Sequence, residues 1–87
     1  MRNKDVVSDF INGYDGSVGS NLYINGNTLV NYQTIIAIRI PEGIILNKDF
    51  YSNTTSVHQN QLRREGNILC EVYEEDLLKI IKGCNNG

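Results

Sequence analysis

The sequence predicts an α+β domain, in which a mostly antiparallel sheet of four or five strands packs against two or three short helices. Short β-branched segments separated by turn signals occupy the middle of the chain, and apolar helical patterns lie near both ends. A chain of 87 residues is long enough to fold alone. Because no repeat or linker interrupts it, we expect residues 1–87 to form one compact domain, with a disordered tail at residues 83–87.

The N-terminal segment predicts a short helix that begins near residues 3–5 and is ended by Gly13. Its apolar side chains fall on one side of that helix: Val6, Val7, Phe10 and Ile11. The following segment, residues 13–20, is rich in glycine and serine and predicts a flexible connection to the first strand.

A hairpin and a central strand follow. Residues 22–24 and 28–30 flank a tight turn, because both central residues of a type I′ turn need positive φ and Asn-Gly pairs supply it. The turn pair is either Asn25-Gly26 or Gly26-Asn27. Residues 35–40 are β-branched and almost uniformly apolar, which predicts a central strand covered on both faces.

Further short strands are predicted after the central one. Pro41 presets φ and Gly43 takes the left-handed position, so the chain reverses and returns as a strand at residues 44–47. Residues 50–51 predict another short extended piece, and a last strand covers residues 68–73.

Two helices are predicted in the second half of the chain. The first runs over residues 55–65 and is ended by Gly66. A hydroxyl side chain caps its start by accepting a hydrogen bond from a free backbone N–H, and the candidates are Thr54, Thr55 and Ser56. The second helix begins in the acidic segment 74–76 and ends at Gly83, and its order of acids first and lysines last suits the helix dipole.

Composition excludes several classes of function. The net charge of −2 argues against a dedicated nucleic-acid binder and equally against an acidic DNA mimic. The chain has no apolar run long enough to span a membrane and no signal core after its N-terminus, so we expect a cytoplasmic protein of the host cell with no membrane partner. Cys70, Cys84 and the single histidine, His58, cannot complete a common zinc set, and no metal or cofactor is expected. Cys70 should behave as a small core residue.

The strongest candidate for function is the segment of residues 51–61. Its eleven positions combine aromatic, hydroxyl, amide and imidazole groups with one aliphatic side chain, Val57. Burying so many polar groups costs free energy unless each finds a partner. The segment is therefore either a capped helix start that closes the hydrogen bonds of the fold itself, or a recognition surface.

This segment and an earlier strand together resemble a family of small uncharacterised proteins from bacteriophages, archaeal viruses and prophage or plasmid regions. Members share a strand of the form L-x-x-Y-x-T-x-I-A and a later Y-S-x-T-T-S-x-H. The matching residues here are Leu29, Tyr32, Thr34, Ile36 and Ala37, and then Tyr51, Ser52, Thr54, Thr55, Ser56 and His58. Ile35 stands where many members carry proline. The resemblance covers roughly the central half of the chain; it implies an origin in a mobile element and no established activity.

Nucleophilic catalysis is one interpretation of these hydroxyl groups. A nucleophile needs a base within hydrogen-bond reach and usually a third group that orients the base. On a helix, His58 would lie close to Thr54 and Thr55. No nucleophile elbow and no obvious carboxylate partner accompany them in the sequence. We therefore expect a protein that is not an enzyme.

Anion capture and nucleic-acid binding are two further interpretations. A helix start offers backbone N–H groups, hydroxyl donors and the positive end of the helix dipole, which together suit a nucleotide-like anion. Residues 54–56, His58 and Arg63 would form that site. The helix also presents amides and arginines able to contact base edges: Gln59, Asn60, Gln61, Arg63 and Arg64. The net charge disfavours DNA binding, although a small DNA-binding regulator stays open as an alternative.

Protein binding is the function that we favour from the sequence. The chain has five tyrosines, and tyrosine is frequent at interfaces. We hypothesise a non-enzymatic binding protein of viral or prophage origin that inhibits or modulates a host factor, such as a defence component in the manner of an anti-CRISPR protein, by occlusion. The predicted binding residues are Tyr51, Ser52, Thr54, Thr55, Ser56, His58, Gln59 and Arg63. A free sheet edge would also permit a homodimer.

Overall fold

The computed structural model describes residues 1–86, with the side chains of residues 1–83, and it has the predicted α+β class. The elements are α1 (Asn3–Ile11), β1 (Leu22–Asn25), β2 (Thr28–Asn31), β3 (Thr34–Ile40), β4 (Gly43–Asn47), α2 (Asn53–Glu65), β5 (Ile68–Val72) and α3 (Glu74–Asn86). The strands form one sheet in the order β1-β2-β3-β4-β5. Neighbouring strands are antiparallel except β4 and β5, which are parallel.

Helices cover both faces of the sheet, which explains why its central strand is almost uniformly apolar. α1 and α2 lie on one face, where Phe10 and Leu62 join the larger core cluster. α3 lies on the other face, where Leu77 packs against a second cluster. β3 contributes Ile36 to the first cluster and Ile38 to the second, so the prediction of a strand covered on both faces is confirmed.

A β-bulge in β3 sends two consecutive side chains into the same core. Leu29 pairs with Ala37 whereas Val30 pairs with Ile35, so Ile36 is an extra residue in β3. Ile36 and Ala37 are both fully buried in the larger cluster. Regular alternation would place neighbouring side chains on opposite faces, and the bulge removes that conflict.

The first hairpin turn is formed by Gly26 and Asn27, because Asn25 pairs directly with Thr28. Gly26 has a φ of 62°, but Asn27 has no positive φ, so the expected type I′ turn is not formed. Glycine at the first central position is instead the pattern of a type II′ turn. Of the two turn pairs that the sequence allows, the structure therefore has the second.

α2 connects β4 to the parallel strand β5. Because of this crossover, strand ends and helix starts lie together at one end of the sheet. β2, β4 and β5 run in the same direction, so their carboxyl ends lie together. α2 and α3 both begin there, directly after the loops 48–52 and residue 73. We call this region, residues 47–52 and 72–76 with Asn31, the loop end. None of the described helices is long and apolar enough to cross a membrane.

Helix boundaries differ from the sequence-based expectation. α2 begins at Asn53, and its N-cap is Ser52, whose Oγ accepts a hydrogen bond from Thr55 N at 3.1 Å. The expected caps were later residues, but the Ser52 backbone is still extended while the following residues are helical. α3 continues past Gly83 to Asn86, since glycine weakens a helix by only about 1 kcal/mol and does not forbid it. The last residue of the expected tail, Gly87, lies outside the described residues.

Two expectations about the strands are also corrected. Residues 50–51 are not a strand but part of the loop between β4 and α2. Cys70 is exposed rather than buried, and β5, which carries it, is an edge strand of the sheet. The side chain of Cys84 lies outside the described residues.

Candidate functional site

The predicted binding residues do not converge on one site, because α2 turns them to different sides. Thr55, His58 and Gln59 face the interior and are 3%, 5% and 3% exposed. Thr54 and Arg63 are exposed. Residues three and four apart share one face of a helix, so this separation follows directly from their spacing. Ser52 and Ser56 are half-buried beside the helix start.

Thr55 ties the start of α2 to the end of β2. Its Oγ1 donates a hydrogen bond to Asn31 Oδ1 at 2.6 Å, and Ser52 Oγ lies 3.1 Å from the same hydroxyl. The side chain of Asn31 then donates to the carbonyl of Asn21 at 2.8 Å. The Thr55 hydroxyl therefore closes hydrogen bonds of the fold and is not free to act as a nucleophile or an anion donor.

Gln59 ties α2 to the end of β4, as Thr55 ties it to the end of β2. Its Nε2 donates to the carbonyl oxygens of Asn47 and Asp49, at 2.7 and 2.9 Å. Asn47, itself fully buried, donates from Nδ2 to the Ile35 carbonyl at 3.0 Å and to Tyr51 Oη at 2.8 Å. These bonds hold the loop after β4 in one conformation, and they leave the Gln59 amide unable to reach a base edge or a partner.

His58 lies buried between these two hydrogen-bonded residues of α2. Its Nε2 has no hydrogen-bond partner among the described residues. Burial lowers the pKa of the imidazole below its ordinary value, so the neutral form dominates at physiological pH. The hydroxyls of Ser52 and Thr55 are bonded to each other and to Asn31 instead of to His58. The arrangement of nucleophile and base considered from the sequence is therefore not formed by these residues.

Arg63 lies on the far side of α2 and is held by an ion pair. Its guanidinium donates to the Glu71 carboxylate through Nε at 3.1 Å and Nη2 at 2.7 Å, and to Asn60 Oδ1 at 2.9 Å. This hydrogen bonding lowers the pKa of the Glu71 carboxyl. Arg63 therefore fastens α2 to β5, about three turns away from the helix start where an anion would bind.

Of the remaining candidates for base contacts, Gln61 is bonded within the fold, whereas Arg64 makes only a solvent-exposed ion pair. Gln61 is buried and donates from Nε2 to the Lys4 carbonyl at 2.9 Å, which joins α2 to α1. Arg64 lies 3.4 Å from the Glu65 carboxylate. With Gln59 and Arg63 also bonded within the fold, α2 does not present a row of free polar side chains that could enter a DNA groove.

Tyr51 is the one predicted binding residue that lies exposed at the loop end. Its Oη accepts from Asn47 Nδ2 at 2.8 Å and donates to the Glu74 carboxylate. Burial of the hydroxyl, together with its hydrogen bond to Glu74, raises the pKa of Tyr51 to about 12. The hydroxyl therefore stays protonated and fixes the ring, which is 36% exposed, between the two loops.

Two further exposed aromatic residues of the loop end are not among the binding residues predicted from the sequence. Phe50 is 72% exposed and Tyr73 is 56% exposed. Lys48 Nζ lies 4.5 Å from the centroid of the Tyr73 ring, and Asp49 Oδ2 accepts from the Glu74 backbone N at 2.8 Å. These contacts bring the loop after β4 against the loop after β5. We call the exposed rings of Phe50, Tyr51 and Tyr73 the aromatic surface.

No local signal in the sequence could have revealed this surface. Phe50 and Tyr73 are 23 positions apart, and their loops lie at the same end of the sheet only because β4 and β5 are parallel neighbours. A crossover helix joins such strands, so the pairing becomes visible once residues 53–65 are recognised as that helix.

The fold and this site define a small α+β domain whose crossover helix is fixed by buried polar side chains and whose loop end exposes aromatic rings. The chain belongs to a family of unknown function, DUF8033, whose family model matches residues 6–76. The matched region includes the whole sheet and both loops that carry the aromatic surface. No curated protein and no solved structure matches the chain.

Proposed function

We propose that this protein is a non-enzymatic binding protein that occludes a protein of its host through the aromatic surface. The exposure of three aromatic rings on two hydrogen-bonded loops at one end of the sheet is the observation that carries this proposal. Aromatic residues supply much of the binding free energy at protein interfaces, where their rings fill pockets on the partner. Large rings left in water at one end of a small domain are best explained by such a use.

The rigidity of the loops supports the same proposal. Phe50 stands between Asp49 and Tyr51, and both of these neighbours are hydrogen-bonded to Glu74. Gln59 fixes the Asp49 carbonyl from the other side at 2.9 Å. A surface that is ordered before binding loses less conformational entropy when a partner arrives, which favours affinity.

The surface proposed here differs from the set of binding residues, from Tyr51 to Arg63, that was predicted from the sequence. Gln59 is buried and Arg63 is paired with Glu71, so neither side chain is free for a partner. Tyr51 remains part of the surface, and Phe50 and Tyr73 replace the polar residues of α2.

The partner and the origin of the protein form the finer part of the proposal. The resemblance to small proteins of phages, archaeal viruses and prophages suggests that the protein acts against a host factor, such as a component of a defence system. This step is an analogy with other small proteins of mobile elements.

A pulldown with a matched pair of variants tests the proposal. The tagged chain and its double variant F50A/Y73A would be incubated with lysate of the native host cell, and retained proteins would be identified by mass spectrometry. The control is V57A, which removes an apolar side chain that is 63% exposed on α2, outside the aromatic surface. Thermal melts would confirm that all three chains are folded.

We expect a host protein that is retained by the wild type and by V57A and lost with F50A/Y73A, because truncation of a central aromatic residue commonly costs about 2 kcal/mol or more of binding free energy. If F50A/Y73A retains the same partner as the wild type, the aromatic surface is not the binding surface.

A further inference from the structure

We propose that the partner presents a cationic, arginine-bearing protein surface to the loop end. This inference rests on the proposed function, because it names the chemistry of the partner at the same surface. The inference follows from the carboxylates near the exposed rings and from a lysine of the protein itself that lies against one of these rings.

Acidic residues lie next to the aromatic surface along the chain. The first turn of α3 carries Glu74, Glu75 and Asp76 in succession, directly after Tyr73. Across the segments 48–51 and 73–79 there are four acidic and two basic side chains. The loop end is therefore negative, and its field attracts cations and repels nucleic acid.

Two of these carboxylates are available to a partner. Asp76 is exposed and makes no ion pair or hydrogen bond with any residue that the structure describes. Glu75 is paired only with Lys79, at 3.5 Å, and these side chains are 81% and 70% exposed. A pair so open to solvent is weak and can be exchanged for a better one. Asp49 and Glu74, by contrast, are held by hydrogen bonds inside the loop end.

The aromatic rings favour a planar guanidinium group over an ammonium group. Lys48 Nζ already lies 4.5 Å from the centroid of the Tyr73 ring, so this surface attracts a cation to a ring face. The ring of Phe50 has no such neighbour among the described residues, since the cation–ring contacts found there involve Phe10 and Tyr73. A guanidinium group stacks on a ring and pairs with a carboxylate through the same flat fork, which an ammonium group does less well.

Other kinds of partner fit the surface less well. An apolar partner would bury Glu75 and Asp76 without a counter-charge, and removing unpaired charges from water is costly. An acidic partner would meet like charges. The guanidinium groups of an arginine-bearing protein surface can stack on the rings and pair with the carboxylates at the same time.

The direct test uses two peptides that differ only in charge. The isotopically labelled full-length chain would be titrated with a short peptide of alternating glycine and arginine, and with the same peptide carrying citrulline, a neutral analogue of arginine. NMR would follow the backbone amides. We expect the arginine peptide to shift amides in segments 48–51 and 73–76 and the citrulline peptide to bind about tenfold more weakly or not at all.

A variant that neutralises two carboxylates of the loop end, compared with a control that neutralises two carboxylates elsewhere, measures whether the charge of the loop end contributes to binding. E75Q/D76N should weaken binding of the arginine peptide by about fivefold or more, whereas D15N/E42Q should leave it unchanged. The control removes the same charge from exposed residues near the turns at the opposite end of the sheet. Equal binding of the citrulline peptide would overturn the inference, as would equal loss in both variants or shifts scattered over the whole surface.

The pulldown separates this inference from the proposed function. A host partner retained by E75Q/D76N but lost with F50A/Y73A would show that the aromatic surface binds a partner without arginine chemistry, and the inference would be wrong while the proposed function stands. A partner retained by both variants would overturn the proposed function itself. Loss of the partner in both, with the D15N/E42Q control still binding, agrees with the inference.

Discussion

Replacing Gln59 with methionine should lower the free energy of unfolding by about 2–4 kcal/mol. The side chains are similar in length and volume, so the change removes hydrogen bonds while leaving little cavity. The carbonyl of the fully buried Asn47 would lose its donor, at 2.7 Å, and an unpaired buried group costs about 1–3 kcal/mol. The carbonyl of the half-buried Asp49 would lose a bond of 2.9 Å with a net value of about 0.5–1.5 kcal/mol.

Thermal and urea unfolding measure this effect directly. For a domain of this size each kcal/mol lowers Tm by about 4–8 °C, so a loss of about 3 kcal/mol corresponds to roughly 12–24 °C. V57M introduces the same residue at an exposed position of α2 and should stay within about 0.5 kcal/mol of the wild type. If Q59M is as stable as V57M, the polar face of α2 does not fix the loop end, and our explanation of this segment is wrong.

Three further predictions concern the same helix and its surroundings. T55V leaves Asn31 Oδ1 without its donor and should cost about 1–3 kcal/mol of unfolding free energy; an unchanged urea midpoint would contradict this. Burial holds the pKa of His58 in the folded chain below the 6.5 of the unfolded chain, so the unfolded chain binds more protons and stability falls as the pH drops below about 6.5. The slope from this one group is at most about 1.4 kcal/mol per pH unit, and H58L should remove it; identical pH profiles for both chains would refute the assignment. G43A should destabilise the domain by about 1–3 kcal/mol, because the added methyl carbon would lie 2.6 Å from the Asn67 carbonyl oxygen at a φ of 154°; calorimetry showing an unchanged Tm would count against that clash.

The sheet was predictable because its signals are local. The apolar run in β3 and the turn signal at residues 25–27 between β1 and β2 depend on neighbouring residues, and both gave the correct elements. The burial of Cys70 was predicted wrongly, since an apolar strand pattern does not reveal whether the strand lies at the edge of its sheet.

The buried side of α2 could not be recognised from the sequence, because its residues are polar. It includes Thr55, His58 and Gln59, residue types that usually face water, so the segment resembles a solvated helix. These residues are buried because β2 and β4 end beneath the start of the helix, where Asn31 and the Asn47 carbonyl need partners. Such pairing joins residues 12 and 24 positions apart, and local patterns carry no information about it.

The most direct test of the proposed binding surface is site-specific photo-cross-linking in the native host cell. A photoreactive phenylalanine analogue would replace Phe50 in one chain and Val57 in another, since both positions are exposed and only the first belongs to the aromatic surface. We expect position 50 to give a covalent adduct with one host protein and position 57 to give none. An adduct from position 57 alone, or a captured partner that never cross-links to position 50, would contradict binding through the loop end.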